Sequence, residues 1–251
     1  MNENNGGPNV VVLGVTGAGK STLCNVLTGK TPNGEDEDGF PSSASPNTCT
    51  YKTVGKRANW LGNYDKPLTI CDTPGLGDPS GRDSLNIVDM VEVLKDIKHV
   101  NAFIIVFNGQ NPRIDLNLKS ILQLFQKIFG KDFINNVIIQ FSRWSFDKRS
   151  IKVRAASGTG EETQAESWNQ RFQQELGATK DLPVVFVDAL RQEDDVDEIK
   201  AFKEQTDLLW EAINTLEPYE CKDFEAVLTE NDELRLKVEE ARENEKIASM
   251  Y

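Results

Sequence analysis

Only one histidine occurs in 251 residues, and the four cysteines (Cys24, Cys49, Cys71, Cys221) stand far apart with no CxxC pair. That usage disfavours a zinc site and a disulfide framework and suits a reducing compartment. Long apolar runs are missing as well. The longest dense one, Ala102 to Phe107, is far too short to span a bilayer. MNEN is no myristoylation start, ASMY is no prenylation box, and no apolar signal segment opens the chain. The expected location is therefore cytoplasmic, with peripheral association the one membrane contact left open. Positive charge is scarce too: 28 Lys and Arg against 40 Asp and Glu give a net charge of -12. This argues against a nucleic-acid partner and an anionic membrane surface, because both need a basic face.

What is present reads as alternating strands and helices. Val10–Leu13 and Ala102–Phe107 are apolar at every position, as strands of a parallel sheet covered on both faces must be. Further strands are expected near Tyr51–Gly55, Leu68–Cys71, Asn136–Phe141 and Val184–Val187. Helices are expected over Lys20–Thr28, Ser84–Lys98, Leu116–Phe129 and Asp194–Leu216. The polar segment from Ser145 to Lys180 reads as partly helical around Glu162–Leu176. This order predicts an α/β fold with a doubly wound, mostly parallel sheet over residues 9–217. Residues 1–8 read as a disordered lead-in. Residues 218–251, charged and glycine-free after Cys221, read as a C-terminal charged helix, either solvated or partner-binding.

The stretch GVTGAGKS, Gly14 to Ser21, follows the first strand directly and fits G-x-x-x-x-G-K-[ST] in full. Glycines let successive N–H groups curl inward, and the helix beginning near Gly19 adds its positive dipole end. The expected cradle comprises Gly14, Thr16, Gly17, Ala18, Gly19, Lys20, Ser21 and Thr22. Lys20 would reach the β- and γ-phosphates, and Ser21 would ligate Mg²⁺. A second signal, ICDTPGLGD, ends a later strand. Asp72 is placed to hold the metal ion, and the Gly75 N–H to sense a γ-phosphate. Between the two lies SPNTCTYK, where Thr48 and Thr50 are the candidates for closing over the ion. Together these point to a GTPase-type switch.

The base is harder to read. Where N-K-x-D is usual, this chain has FSRWSFD: Ser142 and Arg143 take the Asn-Lys places and Ser145 the carboxylate's. Arg143 and Trp144 are candidates to stack on the base. Asp147 or backbone groups are candidates for its edge, and Asp188 and Ala189 of VDALRQ form the last base loop.

In GVTGAGKSTLCNVLTG, NTC, ICDTPGLGD and the box VNAFIIVFNGQNPRIDLNLKSILQLFQKIFG, the chain resembles the GIMAP family. These are the immune-associated nucleotide-binding GTPases, related to septins and chloroplast import receptor GTPases. The resemblance covers about Asn9 to Leu216. It implies a GTP/GDP- and Mg²⁺-binding protein that assembles as a homodimer or oligomer through its nucleotide face. It also favours Thr48 over Thr50 and aligns Arg113 with an arginine of the family's box that would act across such a dimer. Leu76, where many GTPases place a water-orienting glutamine, implies slow hydrolysis. The alternative is a nucleotide-binding scaffold without turnover that acts by oligomerising.

Overall fold

The computed structural model describes residues 6–42, 50, 52–76, 83–110 and 116–221, with backbone alone at 83–85 and 116–118. The elements run β1 (Asn9–Gly14), α1 (Lys20–Leu27), β2 (Val54–Asn59), β3 (Pro67–Asp72), α2 (Asp83–Ile97), β4 (His99–Val100), β5 (Ala102–Asn108) and α3 (Leu116–Phe129). They continue as β6 (Val137–Ser142), α4 (Lys148–Ser157), α5 (Glu161–Leu176), β7 (Val184–Phe186), α6 (Val196–Thr215) and β8 (Tyr219–Glu220). The main sheet has the order β2-β3-β1-β5-β6-β7, with β2 antiparallel at one edge and the other strands parallel.

Alternation along the strands explains why both faces are covered. Val11 and Leu13 of β1 join one core cluster, with Phe103, Ile105, Val137 and Ile139, under α2, α3 and α5. Val10 and Val12 join the other, with Ala102, Ile104 and Ile138, under α1 and α6. Strand β1 pairs with β3 on one side and β5 on the other, so the chain order reverses there. The crevice beyond the carboxyl end of β1 is where such sheets bind ligands.

Three differences from the sequence reading have physical causes. Strand β2 begins at Val54, three residues later than expected, because its pairing partner is fixed by β3: Val54 sits opposite Asp72 and Asn59 opposite Pro67. Pro8, assigned to the lead-in, is held in the sheet edge, its carbonyl accepting from Thr69 N–H at 2.9 Å. After Pro218 the chain forms not a helix but β8, antiparallel to β4, with Glu220 opposite His99. Residues 222–251 of the expected charged helix lie outside the described residues. Among the described residues no helix is long and apolar enough to cross a membrane.

A buried side chain helps to fasten the loop after α1. Asn25, fully buried, accepts from Phe40 N–H at 2.6 Å and donates to Phe40 O at 2.8 Å. Removing this amide leaves two buried backbone groups without partners. Asn25→Ala should therefore cost about 2–4 kcal/mol, read as a lowered urea midpoint with unchanged slope.

Candidate functional site

Three chain segments meet at the end of β1. The first is the loop from Gly14 to Gly19, which turns into α1 with Gly19 at φ 100, a left-handed conformation open to glycine. No side chain among the described residues caps α1, so its first N–H groups are presented to the crevice, as an anion requires. Lys20 opens the helix. It is only 6% exposed, and its Nζ donates to Val15 O at 3.1 Å.

The second segment is the end of β3. Asp72 is buried, with Oδ2 accepting from Thr50 Oγ1 at 3.3 Å, while Thr50 Oγ1 lies 2.9 Å from Ser21 Oγ. Burial pushes the Asp72 carboxyl upward, opposed by the Ser21 hydroxyl, the Lys20 charge and the Thr50 hydroxyl. Burial likewise lowers the Lys20 ammonium, opposed mainly by Asp72. The other Asp72 oxygen, Oδ1, is buried with no protein partner. Two hydroxyls and a carboxylate with an orphaned oxygen are the donor set of a hard divalent cation, and the residues fit one. Of the two threonine candidates, Thr50 is the one brought to Ser21 and Asp72. Thr48 lies outside the described residues, as does Arg113.

Downstream of Asp72, Gly75 packs directly on the phosphate loop. A Cβ there would fall 2.3 Å from Thr16 Oγ1 and 2.4 Å from Thr16 Cα, so only glycine fits. Thr16 N–H is committed to Leu76 O at 3.2 Å, so in this arrangement it does not serve the cradle as the sequence suggested. The Leu76 side chain is 2% exposed and belongs to the core under α2.

The third segment follows β6. Ser142 Oγ donates within the loop network to Ala18 O at 2.6 Å, with Phe107 O at 3.2 Å. It thereby ties the base loop to the phosphate loop. Arg143 stands at φ 54, unusual for a non-glycine residue, and its Nη2 donates to Gly17 O at 3.1 Å. Arg143, Asp188 and Ala189 line one cavity together with Gly19, Thr22, Leu23 and Ser142. Asp188 Oδ1 accepts from Leu190 N–H at 3.0 Å. Burial raises the Asp188 carboxyl above the usual range, and Glu198 adds to the rise, against Leu190 N–H and Arg143.

Two base candidates are corrected. Trp144 is 3% exposed, packs on Phe141 and Phe186, and donates from Nε1 to Glu161 Oε1 at 2.6 Å. Arg154 covers its face at 4.5 Å. No face is left for a base. Asp147 is the N-cap of α4, accepting from Arg149 N–H at 2.7 Å and Ser150 N–H at 3.0 Å. Hydrogen bonds from Ser145 and Ser150 hold its carboxyl well below the usual range. Ser145 Oγ, at the place of the missing carboxylate, is 2.6 Å from Asp147 Oδ2 and 2.5 Å from Glu198 Oε1. Its single proton serves one of them at a time. Glu198 is a residue that sequence reasoning missed, since nothing marks one acidic residue among Glu193–Glu198 as buried.

The model of the AIG1 family matches residues 8–149. The chain belongs to the AIG1 family. This sets it in the superclass of GIMAP and Toc GTPases. No curated protein matches it. Among solved structures, it is similar to a dimerization-deficient arginine-to-alanine mutant of Toc33 from Arabidopsis thaliana. The TM-score is 0.63 at 15% identity, over 84% of this chain and 85% of that one. Toc33 from Arabidopsis thaliana in complex with GDP and Mg²⁺ gives 0.58 at 18% identity, over 86% and 88%. The complex with Mg²⁺ and GMPPNP gives 0.57 at 17%, over 85% and 88%. The fold is that of the P-loop GTPases.

Since Trp144 is a core residue, Trp144→Ala should cost about 3–5 kcal/mol of stability. Arg143→Ala, on an exposed side chain, should stay within about 0.5 kcal/mol. Parallel urea titrations compare the two.

Proposed function

We propose that this member of the AIG1 family is a Mg²⁺-dependent guanine-nucleotide-binding GTPase with slow intrinsic hydrolysis, used as a nucleotide-controlled dimerising or oligomerising switch. The observation that carries the reading is the convergence of buried Lys20 with Ser21, Thr50 and Asp72, beside a Gly75 that touches the phosphate loop. Lys20 neutralises β- and γ-phosphate charge, and Gly75 reports the γ-phosphate through its N–H. Ser21, Asp72 and a threonine of the preceding loop would hold Mg²⁺, which supplies charge neutralisation between the β- and γ-phosphates. Thr50 is supported by its contacts; Thr48 remains the alternative on resemblance.

Slow turnover follows from Leu76. Its side chain is apolar and directed into the core, so it cannot orient an attacking water. A cation from a facing copy would supply what is missing, and Arg113 is the candidate by resemblance. The structures similar to this chain include work on Toc33 and Toc159 in which dimerization is important for GTPase activity (TM-score 0.52, 16% identity). The same burial of Leu76 favours the second reading, a scaffold that binds nucleotide without turnover. Measuring phosphate release from labelled GTP and ATP across a range of protein concentrations separates the readings. Activity per molecule should rise with concentration, and Arg113→Ala should flatten the rise while sparing GDP affinity. Retention of GTP without release at any concentration would establish the scaffold.

Guanine selectivity is assigned to Asp188. Asp147 and Glu198 are engaged by both backbone and hydroxyl donors away from the cavity, whereas Asp188, bonded through Oδ1 to Leu190 N–H, lines the cavity beside Arg143. A carboxylate there accepts from the two edge N–H groups of guanine. Asp188→Asn should weaken GDP at least tenfold, about 1.4 kcal/mol, and improve xanthosine diphosphate, whose 2-oxo group accepts from the new amide. Acceptance requires the ionised form, so GDP affinity should fall as pH drops through the raised Asp188 value. The fall should begin at a higher pH than for an ordinary carboxylate. Calorimetric titrations at several pH values read both effects; a pH-independent GDP affinity equal to that of Asp188→Asn would remove Asp188 from the base site.

A further inference from the structure

The peptide unit joining Gly75 to Leu76 is held at both ends. Its carbonyl accepts from Asn86 Nδ2 at 3.2 Å, and its N–H donates to Gly14 O at 3.3 Å. Asn86 belongs to α2 and is 7% exposed. On the next unit, Leu76 O accepts from Thr16 N–H, and Val15 and Leu76 pair in a parallel bridge. The β1–β3 pairing is thereby prolonged beyond both strands, into the phosphate loop on one side and the segment after Asp72 on the other.

We propose that Asn86 is a positioning residue of the nucleotide switch, an amide on α2 that clamps the Gly75–Leu76 peptide against the phosphate loop and so disfavours the triphosphate state. This rests on the guanine-nucleotide reading above. Gly75 lies in direct contact with Thr16, as the 2.3–2.5 Å that a Cβ would leave to Thr16 Oγ1, Cα and N makes plain. No layer of phosphate thickness separates the two residues. A γ-phosphate that is to receive the Gly75 N–H must part them, and parting them breaks the bonds at Thr16, Gly14 and Asn86. A diphosphate makes no such demand. The bond from Asn86 therefore belongs to one state of the switch and is lost in the other, which is what differential affinity requires. Because the donor sits on α2, the state of the γ-phosphate is passed to that helix directly, through one hydrogen bond to a backbone carbonyl.

The test uses the full chain with GDP and the non-hydrolysable analogue GMPPNP. Asn86→Leu keeps the branched shape and removes the donor; Asn86→Ala removes both. Each should raise GMPPNP affinity relative to GDP roughly two- to tenfold, the range of one hydrogen bond of this kind. GDP affinity itself should change little. A purely structural role would lower both affinities together, or lower the melting temperature, and leave their ratio unchanged; that result overturns the proposal. If both variants fail to fold, amide hydrogen exchange in the parent protein decides. Leu76 N–H should be protected with GDP and exchange faster with GMPPNP, and equal protection in both states overturns the clamp. Absence of any GDP binding by the parent would overturn the underlying nucleotide reading, a result distinct from an unchanged ratio.

Discussion

Lys20, the first residue of α1, and Asp72, the last of β3, are buried together at the carboxyl edge of the sheet. The rest of the site is a response to that placement. Lys20 and Asp72 each lose solvation, which pushes their protonation equilibria toward the neutral forms, and each partly restores the charge of the other. Such a pair gains little stability by itself, because desolvation rivals attraction in the interior. The surrounding groups make sense as compensation. Val15 O accepts from the ammonium, Ser21 and Thr50 supply hydroxyls beside the carboxylate, and one carboxylate oxygen is left without a protein partner. A phosphate with a divalent cation would complete that arrangement on both sides.

The base end is organised by replacement of hydrogen bonds. Ser142 takes the Asn place of the usual motif and still ties the loop to Ala18. Ser145 cannot replace a carboxylate, but it joins Asp147 and Glu198 into one network that fixes the start of α4 against α6. Two acidic side chains are consumed in holding the loop. Asp188 is left facing the cavity, raised by burial and by Glu198 and moderated by Arg143. The proposed selectivity turns on which carboxylate faces the cavity, and counting acidic residues in the sequence cannot tell that.

Much of the frame was legible because burial on both faces leaves no room for polar residues. Val10–Leu13 and Ala102–Phe107 could hardly be anything but central strands, and the phosphate loop follows from Gly, Lys and Ser at fixed spacing. Helix α4 was less legible. It buries none of its residues, so no apolar stripe marks it, although Asp147 and Gly158 are recognisable caps. Strands β4 and β8 are two residues each and pair across more than a hundred positions, a contact no local pattern encodes. Trp144 was ambiguous because a core aromatic and a base-stacking one have the same local sequence. Only Phe141, Phe186 and Glu161, brought in by the fold, decide it.

Leu76 shows how catalysis and switching constrain each other in this chain. A polar residue there would be free to face the phosphates and order water. The leucine instead enters the core with Ile87, Met90 and Val91 of α2, and burial of such a side chain is worth about 1.5–3 kcal/mol. That anchor draws its own backbone onto the phosphate loop, where the N–H meets Gly14 and the carbonyl meets Thr16. On the proposed reading, the leucine that leaves the attacking water without a partner also gives the γ-phosphate-sensing segment its docked resting position. On the function proposed above, slow intrinsic catalysis and a well-defined resting state would have one cause. On that proposal the protomer would need a group from outside to complete the reaction, and its own residues would hold a state better than end it.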